Sequence, residues 1–218
     1  MTQANPGVEA RLDEGLEGLG IAVDAEQRRR LLGLVGLLHK WNRAYNLTAI
    51  RSPEEMVSRH LLDSAAVLPF VTASQLLDVG AGPGFPMIST FLAILRPELA
   101  VTLLDSNGKK VRFQRQAVME LGLTNVTPVQ ARVETFEEPF DQVISRAFAS
   151  LGDFVSLTLP LVAPGGQWLA MKGPAVDDEL GGVPEGVVPV ARHALEVPFE
   201  VGSRLLVVLE RRPADPAS

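Results

Sequence analysis

The chain contains no cysteine, so it has no disulfide, no thiolate metal ligand and no thiol nucleophile. It lacks long apolar runs as well: residues 67–71 are typical of those present, and a bilayer span needs about 20. Residues 1–13 have neither a basic start nor an apolar core, so no signal peptide is expected. A positive balance is missing too. With 20 Lys plus Arg against 26 Asp plus Glu the formal charge is −6, which argues mildly against a nucleic-acid partner. What remains is 218 residues, 46 % hydrophobic and 21 % charged, close to globular averages and outside the disordered and fibrous classes. That describes a soluble, cytoplasmic protein of one medium domain plus an extension.

The first third reads as helices. Asp24 and Gln27 form a capping-box pattern. After it, Leu31, Leu34, Val35, Leu38, Trp41 and Tyr45 share one face, with Arg29, Lys40 and Arg43 opposite. Ser52-Pro53-Glu54-Glu55 opens a further helix, expected to run to about Leu68. From Gln75 onward short apolar runs alternate with helical stretches, which means βαβ units and a mostly parallel sheet. Residues 187–197 and 205–210 have no helix between them and read as an antiparallel pair at the sheet edge. The expected organisation is a helical extension over 1–72, a doubly wound α/β domain over 73–212 and a disordered tail over 213–218.

The most informative segment is Leu76-Leu77-Asp78-Val79-Gly80-Ala81-Gly82-Pro83-Gly84-Phe85-Pro86. A buried strand ends in a glycine turn that opens a helix, where a backbone can approach a ligand closely. A dinucleotide fingerprint would want its third glycine where Phe85 stands, and no Lys-Ser or Lys-Thr follows for a phosphate chain. The D-x-G-x-G-x-G spacing, with Gly80 and Gly82, favours S-adenosylmethionine. Asp105 ends the second strand, where a carboxylate can accept both ribose hydroxyls or simply cap the next helix. After the third strand, Ala131-Arg132-Val133-Glu134 either borders an adenine or faces solvent.

Methyl transfer is an in-line displacement, so the enzyme chiefly positions an acceptor lone pair. Methylation at C5 of a pyrimidine needs a covalent nucleophile, usually a thiolate, which this chain lacks. After the fourth strand, Ser145-Arg146-Ala147-Phe148 replaces the Asn-Pro-Pro-Tyr type of loop used on exocyclic adenine amines. Arg146 is the catalytic candidate: it can engage an anion or stack, or be a surface ion pair. Phe148 can back a flipped base or be a core aromatic. A guanine N7 carries a free lone pair at neutral pH and needs no general base. Lys109, Lys110, Arg112 and Arg115 form a basic stripe without acidic neighbours, able to meet RNA phosphates or to be a solvated face. Lys172, after the fifth strand, lies on the carboxyl edge where such sheets bind ligands, and Arg204 is a weaker candidate.

These segments, with Trp41-Asn42-Arg43, Tyr45-Asn46-Leu47-Thr48-Ala49-Ile50, His60-Leu61-Leu62-Asp63-Ser64, Leu104-Asp105-Ser106 and Met171-Lys172-Gly173, resemble the ribosomal small subunit methyltransferase G family. The likeness runs over roughly 31–210 with the motifs in the family's order. It implies a class I S-adenosylmethionine-dependent methyltransferase fold and formation of 7-methylguanosine in the 530 loop of bacterial 16S rRNA. It also implies that Gly80, Phe85, Val133, Glu134 and Arg146 line the cofactor site. After Phe85-Pro86 the family usually has Gly and a shorter run, whereas Met87 and about two extra residues stand here. The partner is then 16S rRNA in the small subunit, with no membrane, no metal and a monomeric enzyme expected. His60 and Asp63 lie three apart on one helix face, near the cleft or as a plain hydrogen-bonded pair. The alternatives are a methyltransferase of the same fold acting on a small molecule or protein, and a non-catalytic module that senses S-adenosylmethionine and binds RNA.

Overall fold

A computed structural model describes residues 5–80, 88–146, 148 and 150–213. Gly82, Phe85, the Met87 difference and residues 214–218 of the expected tail lie outside the described residues. The chain begins with α1 (Pro6–Gly18) and α2 (Ala25–Tyr45). Both bonds of the capping box start α2: the Asp24 carboxylate accepts from Gln27 N–H at 2.7 Å and Gln27 Oε1 accepts from Asp24 N–H at 2.9 Å. Such a cap is worth about 1 kcal/mol. Leu31, Leu34, Val35 and Leu38 are buried as the periodicity requires, while Tyr45, in the last turn, stays 40 % exposed.

The helix expected after Ser52 is interrupted. It consists of α3 (Pro53–Met56), a π-helical turn (Val57–Leu62) and α4 (Asp63–Ala65), with a short 3-10 turn at Leu68–Phe70. A wider turn of this kind frees carbonyls from the α ladder and recurs at functional sites. α1 packs against this turn. A Cβ placed on Gly15 would lie 2.2 Å from Leu62 Cδ1, so only glycine allows that contact.

The remaining elements are β1 (Gln75–Gly80), α5 (Ile88–Leu95), β2 (Ala100–Asp105), α6 (Gly108–Leu121), β3 (Val126–Gln130) and β4 (Phe140–Arg146). They are followed by α7 (Leu151–Thr158), β5 (Val162–Lys172), α8 (Val176–Glu179), β6 (Val187–Leu195) and β7 (Arg204–Arg211). The seven strands lie in the order β3-β2-β1-β4-β5-β7-β6. The first five are parallel; β7 runs antiparallel between β5 and β6, so the antiparallel strand is one place in from the edge. One face is covered by the N-terminal helices with α5 and α6, which pack Leu12, Leu34, Leu62, Phe91 and Phe113 into one core. The other carries Phe154, Val155 and Trp168 around α7. This is the class I methyltransferase sheet that the resemblance implies. Among the described residues no helix is long and apolar enough to cross a membrane.

Candidate functional site

Parallel pairing brings Gly80 level with Asp105 and Asp105 level with Gln130, so the ends of β1, β2 and β3 form one edge. The sheet order reverses between β1 and β4, which opens a crevice at the carboxyl ends of these strands. Ser145 Oγ donates to Val79 O at 2.9 Å across that point. Two cavities flank it.

The first, of about 330 Å3, is lined by Gly80, Asp105 and Asn107 together with Arg132, Val133 and Glu134 of the loop after the third strand. Asp105 Oδ1 accepts from Asn107 N–H at 2.7 Å. Its Oδ2 is buried with no hydrogen-bond partner. An orphaned carboxylate oxygen is costly unless a ligand completes it, and burial holds the Asp105 pKa above the usual range. That oxygen, beside a strand ending in glycine, fits a vicinal diol. Val133 and Glu134 lie in a 3-10 turn, Val133 half-buried and Glu134 exposed. Within β1, Asp78 is 1 % exposed and accepts from Ser89 N–H at 3.1 Å in the first turn of α5. Burial pushes its pKa up to about 6.

The second cavity, of about 360 Å3, is lined by Arg59, Asp63, Arg146, Phe148, Lys172 and Arg204 among others. Arg146 is anchored on three sides. Its Nη1 donates to Asp63 Oδ2 at 2.9 Å and to Arg59 O at 3.0 Å, and its Nη2 lies 3.1 Å from His60 Nδ1. A guanidinium can only donate, so Nδ1 accepts and the His60 proton sits on Nε2, 2.9 Å from Thr48 Oγ1. Burial first, then Arg146 and Arg59, push the His60 pKa down to about 3. The ring is therefore neutral. Thr48 is set in place by Asn42, whose Oδ1 accepts from Thr48 N–H at 2.8 Å and whose Nδ2 donates to Ile50 O at 2.9 Å. The run from Asn42 through Thr48 and His60 thus fixes Arg146 from the N-terminal segment.

Arg146 therefore takes the ion-pair alternative among its sequence readings, but with the chain's own Asp63, which is buried rather than at the surface. His60 and Asp63 meet on Arg146, which comes from 83 residues further along the chain at its bond to Asp63. That partner has no local signal. Phe148 is 7 % exposed and packs on Phe154 with ring centroids 5.4 Å apart, a core aromatic that also walls the cavity.

The basic residues divide. Lys109, Arg112 and Arg115 are exposed on α6, but Lys110 is turned inward, 8 % exposed, with Asp105 opposing the fall in pKa that burial imposes. Helical geometry separates adjacent residues by about 100°, so Lys110 leaves the exposed stripe. Lys172 differs from a free phosphate contact as well. Its Nζ donates to Glu179 Oε2 at 2.7 Å and Phe148 O at 3.3 Å, and its side chain is only 9 % exposed. Glu179 also accepts from Leu151 N–H at 2.6 Å. The approach depends on Gly152, where a Cβ would lie 2.3 Å from Gly182 O. Arg204 Nε donates to Asp63 Oδ1 at 3.1 Å. Among the described residues no group of three or more His, Asp or Glu is placed to hold a metal ion.

Solved structures share the fold. The S-adenosylmethionine-dependent methyltransferase SibL in its apo form is 20 % identical with a TM-score of 0.55, over 96 % of this chain and 71 % of that one. A SAM-dependent methyltransferase from Aquifex aeolicus is 19 % identical with a TM-score of 0.53, over 72 % and 93 %. Sequence relatives are much nearer. The ribosomal RNA small subunit methyltransferase G of Chromohalobacter salexigens is 62 % identical over 207 residues, 94 % of this chain and 99 % of that protein. Those of Klebsiella pneumoniae and Pseudomonas aeruginosa are 52 % and 51 % identical over 92 % of this chain, covering 97 % and 94 % of theirs. The model of the rRNA small subunit methyltransferase G family matches residues 27–204, and the chain belongs to that family.

Proposed function

We propose that this chain transfers a methyl group from S-adenosylmethionine to N7 of a guanine in the 530 loop of bacterial 16S rRNA. The observation that carries the reading is the pair of cavities at the β1–β4 reversal, one ending in the orphaned Asp105 Oδ2 and the other in the three-way anchored Arg146. The cofactor supplies an electrophilic methyl on a sulfonium. Asp105 would hold its ribose hydroxyls, with Gly80 leaving room and Val133 and Glu134 bordering the adenine. Arg146, tied to Asp63 and His60, walls the acceptor's side and fixes the line of approach.

Guanine N7 would receive that methyl on its own lone pair and lose no proton, so this chain has to orient the base and need not deprotonate it. Neutral His60, with both ring nitrogens engaged, suits a reaction that asks for no general base. The helical segment over 1–72 acts with the α/β unit over 73–212 as one catalytic body, because it supplies Asp63 and His60.

Mass spectrometry of 16S rRNA nucleosides from a deletion strain tests the reading. Complementation with this chain should restore 7-methylguanosine at one position of the 530 loop. Unchanged rRNA after complementation would overturn it.

A further inference from the structure

Four cations and two carboxylates line the second cavity, an excess of two positive charges in a chain whose formal charge is −6. The cations are not equivalent. Lys172 and Arg146 have side chains 9 % and 21 % exposed, whereas Arg204 and Arg59 are 35 % and 46 % exposed. The last two are the outer pair. They come from distant parts of the chain, Arg59 from the π-helical turn and Arg204 from the first residue of β7.

Each is tethered through Nε. Arg204 Nε donates to Asp63 Oδ1 at 3.1 Å. Arg59 Nε lies 3.8 Å from Glu200 Oε2, an ion pair too long for a hydrogen bond. Among the described residues neither side chain makes a hydrogen bond through its Nη atoms. A guanidinium held at Nε keeps a two-nitrogen fork for an incoming oxyanion, the geometry that suits a phosphate. Asp63 is itself spoken for, since its Oδ2 takes Arg146. One carboxylate therefore aligns the inner arginine with the outer one, and two guanidiniums share a single negative charge.

We propose that Arg59 and Arg204 form a clamp for a backbone phosphate of the RNA strand whose base enters this cavity, with Asp63 holding Arg204 in register. The proposal rests on the RNA reading above and gives it a second contact surface. The exposed Lys109 and Arg112 stand on α6, against β3 at the opposite side of the sheet from β7, so they meet a different part of any RNA.

Phosphate contacts reveal themselves in salt dependence, because each one releases condensed counterions. The test is equilibrium binding of the full chain to small ribosomal subunits from a deletion strain, over a series of salt concentrations. Wild type is compared with Arg59→Gln, Arg204→Gln, the double variant, Arg204→Lys and a Lys109→Gln/Arg112→Gln pair. Each single glutamine variant should weaken low-salt binding at least about threefold and lower the slope of log affinity against log salt by about 0.7. Arg204→Lys should keep the wild-type slope. Cofactor affinity by calorimetry should stay within about twofold, since the phosphate contacts lie outside the cofactor's cavity.

A double variant with the wild-type slope would overturn the clamp, and a slope lost only in the α6 pair would move the phosphate contact there. Arg59→Gln, at a nearly half-exposed side chain, decides the matter should Arg204→Gln unfold. Methyl incorporation by the wild type on the same subunits separates the two claims. Its absence retires the methyltransferase reading, while its presence with an unchanged double-variant slope retires only the clamp.

Discussion

Asp63 Oδ2 accepts from Arg146 Nη1 at 2.9 Å while its Oδ1 accepts from Arg204 Nε at 3.1 Å. One carboxylate, its side chain 4 % exposed, so joins the N-terminal helices to the end of β4 and the start of β7. Asparagine would keep one acceptor and turn an amide N–H2 toward a guanidinium. Hydrogen bonds to charged groups contribute about 1.5–3 kcal/mol. Asp63→Asn should cost about that much in denaturant unfolding and lower kcat/KM on small subunits at least about tenfold. Wild-type values for both would show that the arginines keep their places without it.

Arg146 uses two nitrogens on three partners in different directions. Lysine retains the charge but not the planar fork. Arg146→Lys and Arg146→Ala should both fold, as circular dichroism would check, yet lose at least about tenfold in kcat/KM, roughly 1.4 kcal/mol. The readout is 7-methylguanosine formed on small subunits. Full activity in the lysine variant would mean that charge alone matters.

Asp105 carries a cost in the free protein that its ligand would relieve. Oδ2 is buried without a partner, and burial raises the carboxyl pKa. Asp105→Asn should therefore leave the Tm of the free protein unchanged or higher, while weakening S-adenosylmethionine by about 1.5–3 kcal/mol in calorimetry. A lower Tm with unchanged affinity would make Asp105 a purely structural cap of α6.

The sheet was legible because its strands are short apolar runs between helical periods. The ends of α6 are set by Asn107 and Gly122, residue types that mark helix ends in a sequence. The segment after Ser52 was only half legible. Its cap is present, with Ser52 Oγ 3.4 Å from Glu55 N, but apolar spacing does not distinguish a π turn from an α turn. Charged residues were the least legible. Lys109 and Lys110 are adjacent and identical in type, yet one is solvated and the other buried beside Asp105. Motif residues His60, Asp63 and Arg146 were singled out, but their mutual bonds depend on the fold placing α4 against the end of β4. Partners so far apart in the chain carry no periodic signal.

His60 and Asp78 pull stability in opposite directions with pH. The His60 imidazole is held down to about 3 from 6.5, chiefly by burial. The unfolded chain gains that proton below 6.5 and the folded chain only near 3, so this contribution is complete above pH 6.5 and is lost as pH falls. Burial raises Asp78 from 3.8 to about 6. The folded chain keeps that proton after the unfolded chain has lost it, so this contribution is complete below pH 3.8 and is lost as pH rises through about 6. Each pKa unit corresponds to about 1.4 kcal/mol, and between about pH 4 and 6 the two slopes offset each other. Removing either group should expose the other. His60→Gln should make stability fall with rising pH across that window relative to wild type, and Asp78→Asn should make it rise. Denaturant unfolding of the free protein at about one-unit pH steps reads both slopes. A His60→Gln variant with the wild-type slope would show that the folded imidazole titrates near its ordinary value, and so that the Arg146 anchor includes a histidine able to take up a proton.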